Sequence, residues 1–352
     1  MGTYYYYLNW AEREARLLKR LHILSQMKKN NFSLSRNFTN NYYDQELLFQ
    51  TISTYFPQPR TIYTKSKSVN FKDDVQKFLH PSALNCGKRG ELTYYIKSHY
   101  SRGYQRRKFI RETWGKFLSV KFLVAGTVDD SMAPDFNSLD LIVLALTPES
   151  FDNISYKVGA ALLHAHKCQS PMFMMDDDVL IFPERIQFPD LSDTNKDPIF
   201  VGNLLELSIP LRNPTHKNFQ KYAVSNQIYP FNYYPTYANG IGYILNLSAV
   251  NKLVQSHALS KTQFLLKLDD TYFGMLAFTA QIPVTEDENF STGRLKINDF
   301  RKDVLESQDA DLDICQKYNL HLPAVIDKVI EEGRIHQFYE MLQKSVIEKC
   351  QI

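Results

Sequence analysis

Met172-Phe-Met-Met-Asp176-Asp-Asp178 sets four apolar residues directly ahead of three carboxylates. An uninterrupted apolar run of this length suits a strand covered on both faces. Open α/β sheets collect their ligands at the C-terminal edge of such strands, which is where the triplet falls. Asp176 and Asp178 are two residues apart and so point to the same side. Both can face one hard divalent ion such as Mn²⁺ or Mg²⁺ while phosphate oxygens complete its shell. Adjacent carboxylates repel, which raises one pKa unless a cation or hydrogen-bond donors balance the charge. The plain alternative is a solvated acidic turn.

Outward from the triplet, strand-like and helical segments alternate. Strands are predicted over 92–96, 120–124 and 139–146, and helices over 105–116 and 153–166, the latter with Val158, Leu162 and Leu163 facing inward. This alternation predicts an α/β fold with helices layered on a sheet. On the first helix Arg107 and Arg111 lie four apart on one face, where two guanidinium groups could bind a diphosphate or simply meet solvent. Downstream, Tyr234-Pro-Thr-Tyr237-Ala-Asn-Gly240-Ile-Gly242-Tyr243 offers flat aromatic faces for a sugar ring and glycines for close backbone approach; a structural turn explains the spacing equally well. Asp269-Asp270 precedes a helical pattern at 275–280. Either these carboxylates cap that helix, or one is a base that activates a hydroxyl nucleophile.

Composition narrows the partners. Lys and Arg number 41 against 38 Asp and Glu in 352 residues, too even a balance for a protein whose ligand is nucleic-acid phosphate. No run of about 18 uncharged apolar residues spans a bilayer, and the start of the chain lacks the pattern of a signal peptide. Cys86, Cys168, Cys315 and Cys350 have no CxxC spacing, which disfavours a structural zinc site. Sequons occur at Asn31, Asn37, Asn153, Asn246 and Asn289 and matter only in a secretory lumen. Residues 1–83 are polar and turn-rich and read as a stem. Within them Leu17, Leu18, Leu21, Leu24 and Met27 among basic residues predict a short amphipathic helix, either a membrane-surface element or an ordinary solvated one.

Taken in order, these segments resemble the β1,3-galactosyl- and N-acetylglucosaminyltransferases of glycosyltransferase family 31. The likeness runs through Tyr95-Ile-Lys-Ser98, Arg107-Lys-Phe-Ile-Arg111-Glu-Thr-Trp-Gly115, Phe151 to Lys157, Cys168 to Asp178, Pro210-Leu-Arg212, Tyr234 to Tyr243 and Asp269 to Gly274. It covers residues 84–330, leaving 331–352 as a tail helix.

The resemblance implies a GT-A type fold, a Rossmann-like mixed sheet flanked by helices. It implies an inverting, metal-dependent transferase that moves a hexosyl residue from a UDP-sugar to a hydroxyl of a glycan acceptor on glycoprotein or glycolipid. Galactose is the first expectation and N-acetylglucosamine the alternative. A catalytically silent UDP-sugar binder that assists a partner transferase is the reading from another class. Carried over by position, Asp178 is the principal Mn²⁺ or Mg²⁺ ligand, with Asp176 and His321 completing the set. Ser98, Arg107, Arg111, Asp176, Asp177, Gly240 and Gly242 line the nucleotide-sugar, and Asp270 is the base with Asp269 beside it. Cys86 and Cys168 fall where the family has half-cystines and are expected to pair, free thiols being the alternative. Met174 stands where the family commonly has Lys, which is expected to remove a positive charge near the phosphates. Thr271 replaces a usual Val, and Ala238 and Leu276 together replace a pair of Cys. The family pattern also implies a Golgi membrane anchor with a lumenal catalytic domain. No anchor is visible here; the favoured expectation is that the true N-terminus is missing or wrong in this sequence, and the alternative is retention by a partner.

Overall fold

In a computed structural model the described residues are 86–291, apart from short internal stretches of which 126–133 and 257–266 are the longest, together with 325–326. The expected stem, the tail helix, Asn153, His321, Cys315 and Cys350 lie outside the described residues.

The sheet carries strands β1 (Thr93–Lys97), β2 (Ser119–Ala125), β3 (Leu141–Leu144), β4 (Met172–Asp176), β6 (Phe200–Leu205), β7 (Tyr237–Leu245) and β8 (Val284–Glu286), in the order β3-β2-β1-β4-β7-β6-β8. The first four run parallel, whereas β7 lies antiparallel to both β4 and β6. A second, three-stranded sheet joins β5 (Leu180–Ile181), β9 (Phe290–Ser291) and β10 (Val325–Ile326) in the order β5-β10-β9.

Both faces of the large sheet are covered, as the apolar runs require. Along β4, Met172 and Met174 enter one core layer with Tyr95, Tyr243 and Phe273. Phe173 and Met175 enter the other with Ile96, Phe122 and Ile244. The alternation is the period-two geometry of a strand buried twice over.

Helix α1 (Tyr104–Glu112) follows β1, α2 (Ile154–Cys168) precedes β4, α3 (Phe219–Tyr222) is a single turn, α4 (Leu247–Gln255) follows β7, and α5 (Asp269–Thr279) packs on β7. In α2, Val158, Ala161, Leu162 and Ala165 are fully buried, while Leu163 is only partly covered. The helix stops where Gln169 takes a left-handed φ of 51° and the Ser170 N–H donates to the Ala165 carbonyl, an αL ending that turns the chain into β4. Cys168, the last residue of α2, is disulfide-bonded to Cys86, so the expected pairing is present. The bridge fixes the approach to β1 beside the approach to β4, where Thr93 N–H also donates to the Pro171 carbonyl at 3.1 Å.

Strand order reverses between β1 and β4: the chain builds outward from β1 through β2 to β3, then returns to place β4 on its other side. Such a reversal leaves a crevice at the C-terminal strand ends. Lys97 and Asp176, the last residues of the two strands, are partners in register there.

Candidate functional site

The crevice is built from four pieces of chain. The end of β1 contributes Lys97 and, just beyond it, Ser98; the end of β4 and the turn after it contribute the acidic triplet, β7 contributes Gly240, and the first turn of α5 contributes Asp269 and Asp270. Lys97 stands at the centre with its side chain 3% exposed. Its ammonium is 2.9 Å from Asp176 Oδ1 and pairs still more closely with Asp269 Oδ2. Burial pulls the Lys97 pKa down, but the Asp176 and Asp269 carboxylates outweigh it and hold the value well above the ordinary one. Sequence reading did not single this lysine out as a site residue. The available signal was a charge closing an otherwise apolar strand.

The three aspartates of the triplet part company. Asp177 is buried and turned into the protein, where Ser98 Oγ donates to its Oδ2 at 2.7 Å and Arg106 Nη1 to its Oδ1 at 2.7 Å. Asp176 and Asp178 are both half-exposed, the Asp176 side chain at 42%. Partial burial, helped by the Asp269 and Asp178 charges and opposed by Lys97, pushes the Asp176 carboxyl up from its ordinary value. Two half-exposed carboxylates flanking a buried one are an all-oxygen donor set that suits a hard divalent cation, so these residues fit the ion that the acidic triplet implies.

Across the crevice, Asp269 and Asp270 open α5. Of the two readings left open for this pair, capping is not what the structure shows: Leu268 holds the N-cap position, with no side-chain cap bond. Asp269 is tied to Lys97. Asp270 accepts the Thr271 N–H at 2.7 Å through Oδ1. Burial and then the Asp269 charge push its carboxyl up to about 6. Gly240 packs against it, for a Cβ there would sit 3.8 Å from both Asp270 Oδ2 and Lys97 Nζ. Gly242 serves another purpose, its carbonyl lying against Gly202 of the neighbouring strand. Thr271 and Ala238 and Leu276 are buried without disturbing this packing.

Several assignments change once side chains are placed. Arg107 is fully buried and donates in five directions: Nε and Nη2 to the two oxygens of Asp135, Nη1 to Ser98 Oγ and the His99 carbonyl, and Nη2 also to the Tyr100 carbonyl. A guanidinium so committed has no donor left for a diphosphate. Arg111 shares the same helix face, as expected, but grips Asp140 with two bonds and Asp135 with a third while stacking over Phe122. Against the effect of burial, the two arginines hold the Asp135 carboxyl below its ordinary value. Ser98 and Asp177 likewise face inward rather than toward a nucleotide. Met174 is fully buried among apolar side chains. The positive charge beside the triplet comes from Lys97 on the adjacent strand, so Met174 does not leave the site without a cation.

Residues 105–288, 184 of 352, match the galactosyltransferase family, and the chain belongs to it. Among curated relatives, a lactosylceramide 1,3-N-acetyl-beta-D-glucosaminyltransferase B of Danio rerio is 26% identical over 62% of this chain and 63% of its own length. N-acetyllactosaminide beta-1,3-N-acetylglucosaminyltransferase 4 of Homo sapiens is 30% identical over 56% of this chain and 53% of its own. Beta-1,3-galactosyltransferase bre-5 of Caenorhabditis elegans is 24% identical over 66% and 70%. The chain thus spans roughly half to two-thirds of the length of the first two relatives.

Proposed function

We propose that this protein is an inverting, metal-dependent β1,3-hexosyltransferase that moves galactose or N-acetylglucosamine from UDP to a hydroxyl of a glycan acceptor on glycoprotein or glycolipid. The observation that carries the reading is the meeting of Asp176 with Asp269 and Asp270 around one buried lysine at the sheet's switch point, in a chain of the galactosyltransferase family. Curated relatives with both donor sugars in their names support the β1,3 linkage and leave the two donors side by side.

Asp178 and Asp176 would hold Mn²⁺ or Mg²⁺, with His321 as a further ligand. Bound there, the ion supplies Lewis-acid stabilisation of the charge that gathers on the departing diphosphate. Asp270 takes the proton of the attacking acceptor hydroxyl. A carboxylate whose pKa has risen toward neutrality is a better base than an ordinary aspartate and is still ionised at pH 7. Lys97 pairs with Asp269 and its positive charge partly offsets the repulsion that Asp269 exerts on Asp270. Attack opposite the leaving group, through a transition state of oxocarbenium character, inverts the anomeric centre.

The Cys86–Cys168 disulfide supports an oxidising lumen such as the Golgi as the working compartment of the catalytic domain. Among the described residues no helix is long and apolar enough to cross a membrane. The test is a transfer and hydrolysis screen with radiolabelled UDP-galactose and UDP-N-acetylglucosamine, with and without Mn²⁺, against β-linked galactoside and N-acetylglucosaminide acceptors. Metal-dependent release of label from one donor is the expected result. Binding of UDP-sugar with no turnover of either would leave a silent binder instead.

A further inference from the structure

The inner aspartate of the triplet is held by a chain of bonds that begins at Asp135, between β2 and β3. Asp135 grips Arg107 with both oxygens, Arg107 Nη1 donates to Ser98 Oγ at 3.1 Å, and Ser98 Oγ donates to Asp177 Oδ2 at 2.7 Å. The direction of the relay is fixed by chemistry. A guanidinium can only donate, so the serine hydroxyl accepts from Arg107 and must spend its own hydrogen on Asp177. The serine backbone is fixed as well, its N–H on the Leu123 carbonyl at 3.0 Å and its carbonyl on Lys157 Nζ at 2.7 Å.

A second observation comes from Gly103, the residue ahead of α1. Its φ of −82° suits any residue, so backbone torsion does not call for glycine. Space does. A Cβ at this position would lie 2.1 Å from Ser98 Oγ, 2.5 Å from the His99 carbonyl and 2.9 Å from Asp177 Oδ2. The start of α1 is therefore kept bare where the relay passes.

We propose that Ser98 is a positioning residue: by pinning Asp177 inward, it fixes the backbone that carries Asp176 and Asp178 and so sets how tightly they take a divalent cation. The inference rests on reading those two carboxylates as the ion's ligands. Groups that orient metal ligands from behind typically govern affinity by about 10- to 100-fold, and a preorganised triplet is the physical reason to expect an effect here.

The test is Mn²⁺ binding by the full chain in the presence of UDP, followed by calorimetry and by electron paramagnetic resonance of the free ion. Ser98→Ala should weaken Mn²⁺ binding about 10-fold, with thermal unfolding of the metal-free protein still cooperative. Ser98→Thr, which restores the hydroxyl, should recover most of the affinity. Gly103→Ala should weaken binding in the same direction. Unchanged Mn²⁺ affinity in a folded Ser98→Ala protein, or loss that threonine fails to recover, would overturn the proposal. Should the alanine variant not fold, Ser98→Cys keeps the volume, weakens the hydrogen bond and is judged by the same criteria. Asp178→Ala separates the two layers of the argument. If it retains wild-type Mn²⁺ binding, the ligand assignment falls and the relay with it; if it loses binding while Ser98→Ala keeps it, only the relay falls.

Discussion

The triplet at the end of β4 and the pair at the start of α5 are both runs of adjacent carboxylates, and the fold divides each of them. In the triplet, the turn that follows β4 points Asp177 inward to Ser98 and Arg106, while Asp176 and Asp178 remain half-exposed. In the pair, the first turn of a helix turns Asp269 onto Lys97 and leaves Asp270 beside Gly240 with a carboxyl pushed up to about 6. An acidic run is thus a mixture of structural and chemical groups. Which is which depends on the cation that reaches each oxygen. The two regions differ in how they are compensated: Asp177 has a donor on each oxygen from its own side of the crevice, whereas Asp269 relies on a lysine that Asp176 shares.

The largest expected effect tests whether the two motifs do separate chemistry. Asp270→Asn should lower sugar transfer by about 10²- to 10⁴-fold, the usual cost of losing a general base, and leave metal-dependent UDP binding in place. Asp178→Ala should abolish that binding. Calorimetry with UDP and Mn²⁺, set beside transfer assays, reads both. The wild-type rate should rise with pH through about 6 as Asp270 loses its proton. The effect on stability has the opposite sign. Because the folded carboxyl titrates above the ordinary 3.8, its contribution is complete below that value and is lost as pH rises through about 6. A rate flat across this range, or an Asp270→Asn protein that no longer binds UDP, would remove the division between the motifs.

How much of this could be read beforehand differs between backbone and side chains. The strands around 92–96, 120–124 and 172–175 were legible because a buried strand writes itself locally, as a short apolar run. The triplet's place at the sheet edge followed directly. The partners of the charges were not legible. Lys97 and Asp269 are separated by 172 positions, and Arg107 and Asp135 by 28. Two arginines four apart announced a shared helix face, and that face exists, but nothing local distinguished a diphosphate from Asp135 and Asp140 as what it meets. The disulfide was anticipated through the family resemblance rather than from residue spacing.

The shared lysine gives a sharper test of the comparison. Lys97→Met removes the cation from between the two motifs and leaves Asp269 buried beside Asp176 without it. Breaking one side of a buried pair typically costs about 3–5 kcal/mol, and urea unfolding at pH 7 should show a loss of that order. Arg106→Met takes one donor from the buried Asp177 but leaves that of Ser98, and Arg106 itself is third-exposed, so the loss should be smaller, about 1–3 kcal/mol for a buried acceptor short of one donor. Equal losses in the two variants would mean that the triplet and the pair are compensated alike.

The smallest effect applies the same logic to another repeated motif, the sequon. Asn246 and Asn289 each stand in N-x-S, yet the fold uses them differently. Asn246 is fully buried at the N-cap of α4, where its Oδ1 accepts the Ala249 and Ile199 N–H groups, both at 2.9 Å, and its Nδ2 donates to the Asp197 carbonyl at 2.8 Å. Asn289 is exposed, with its backbone N–H on Asp287 Oδ1. A glycan would be attached at the Asn246 Nδ2 that donates to Asp197 and would have to pull a fully buried side chain out to solvent, so glycopeptide mapping of secreted protein should find position 246 bare and any glycan of this pair on Asn289. Replacing the cap by alanine should cost about 0.5–2 kcal/mol. Asn289→Ala should stay within about 0.5 kcal/mol, as surface changes do. Denaturant titration of the two variants checks the ordering, and an occupied Asn246 in folded protein would show that this side chain is not the cap that joins α4 to the segment leading into β6.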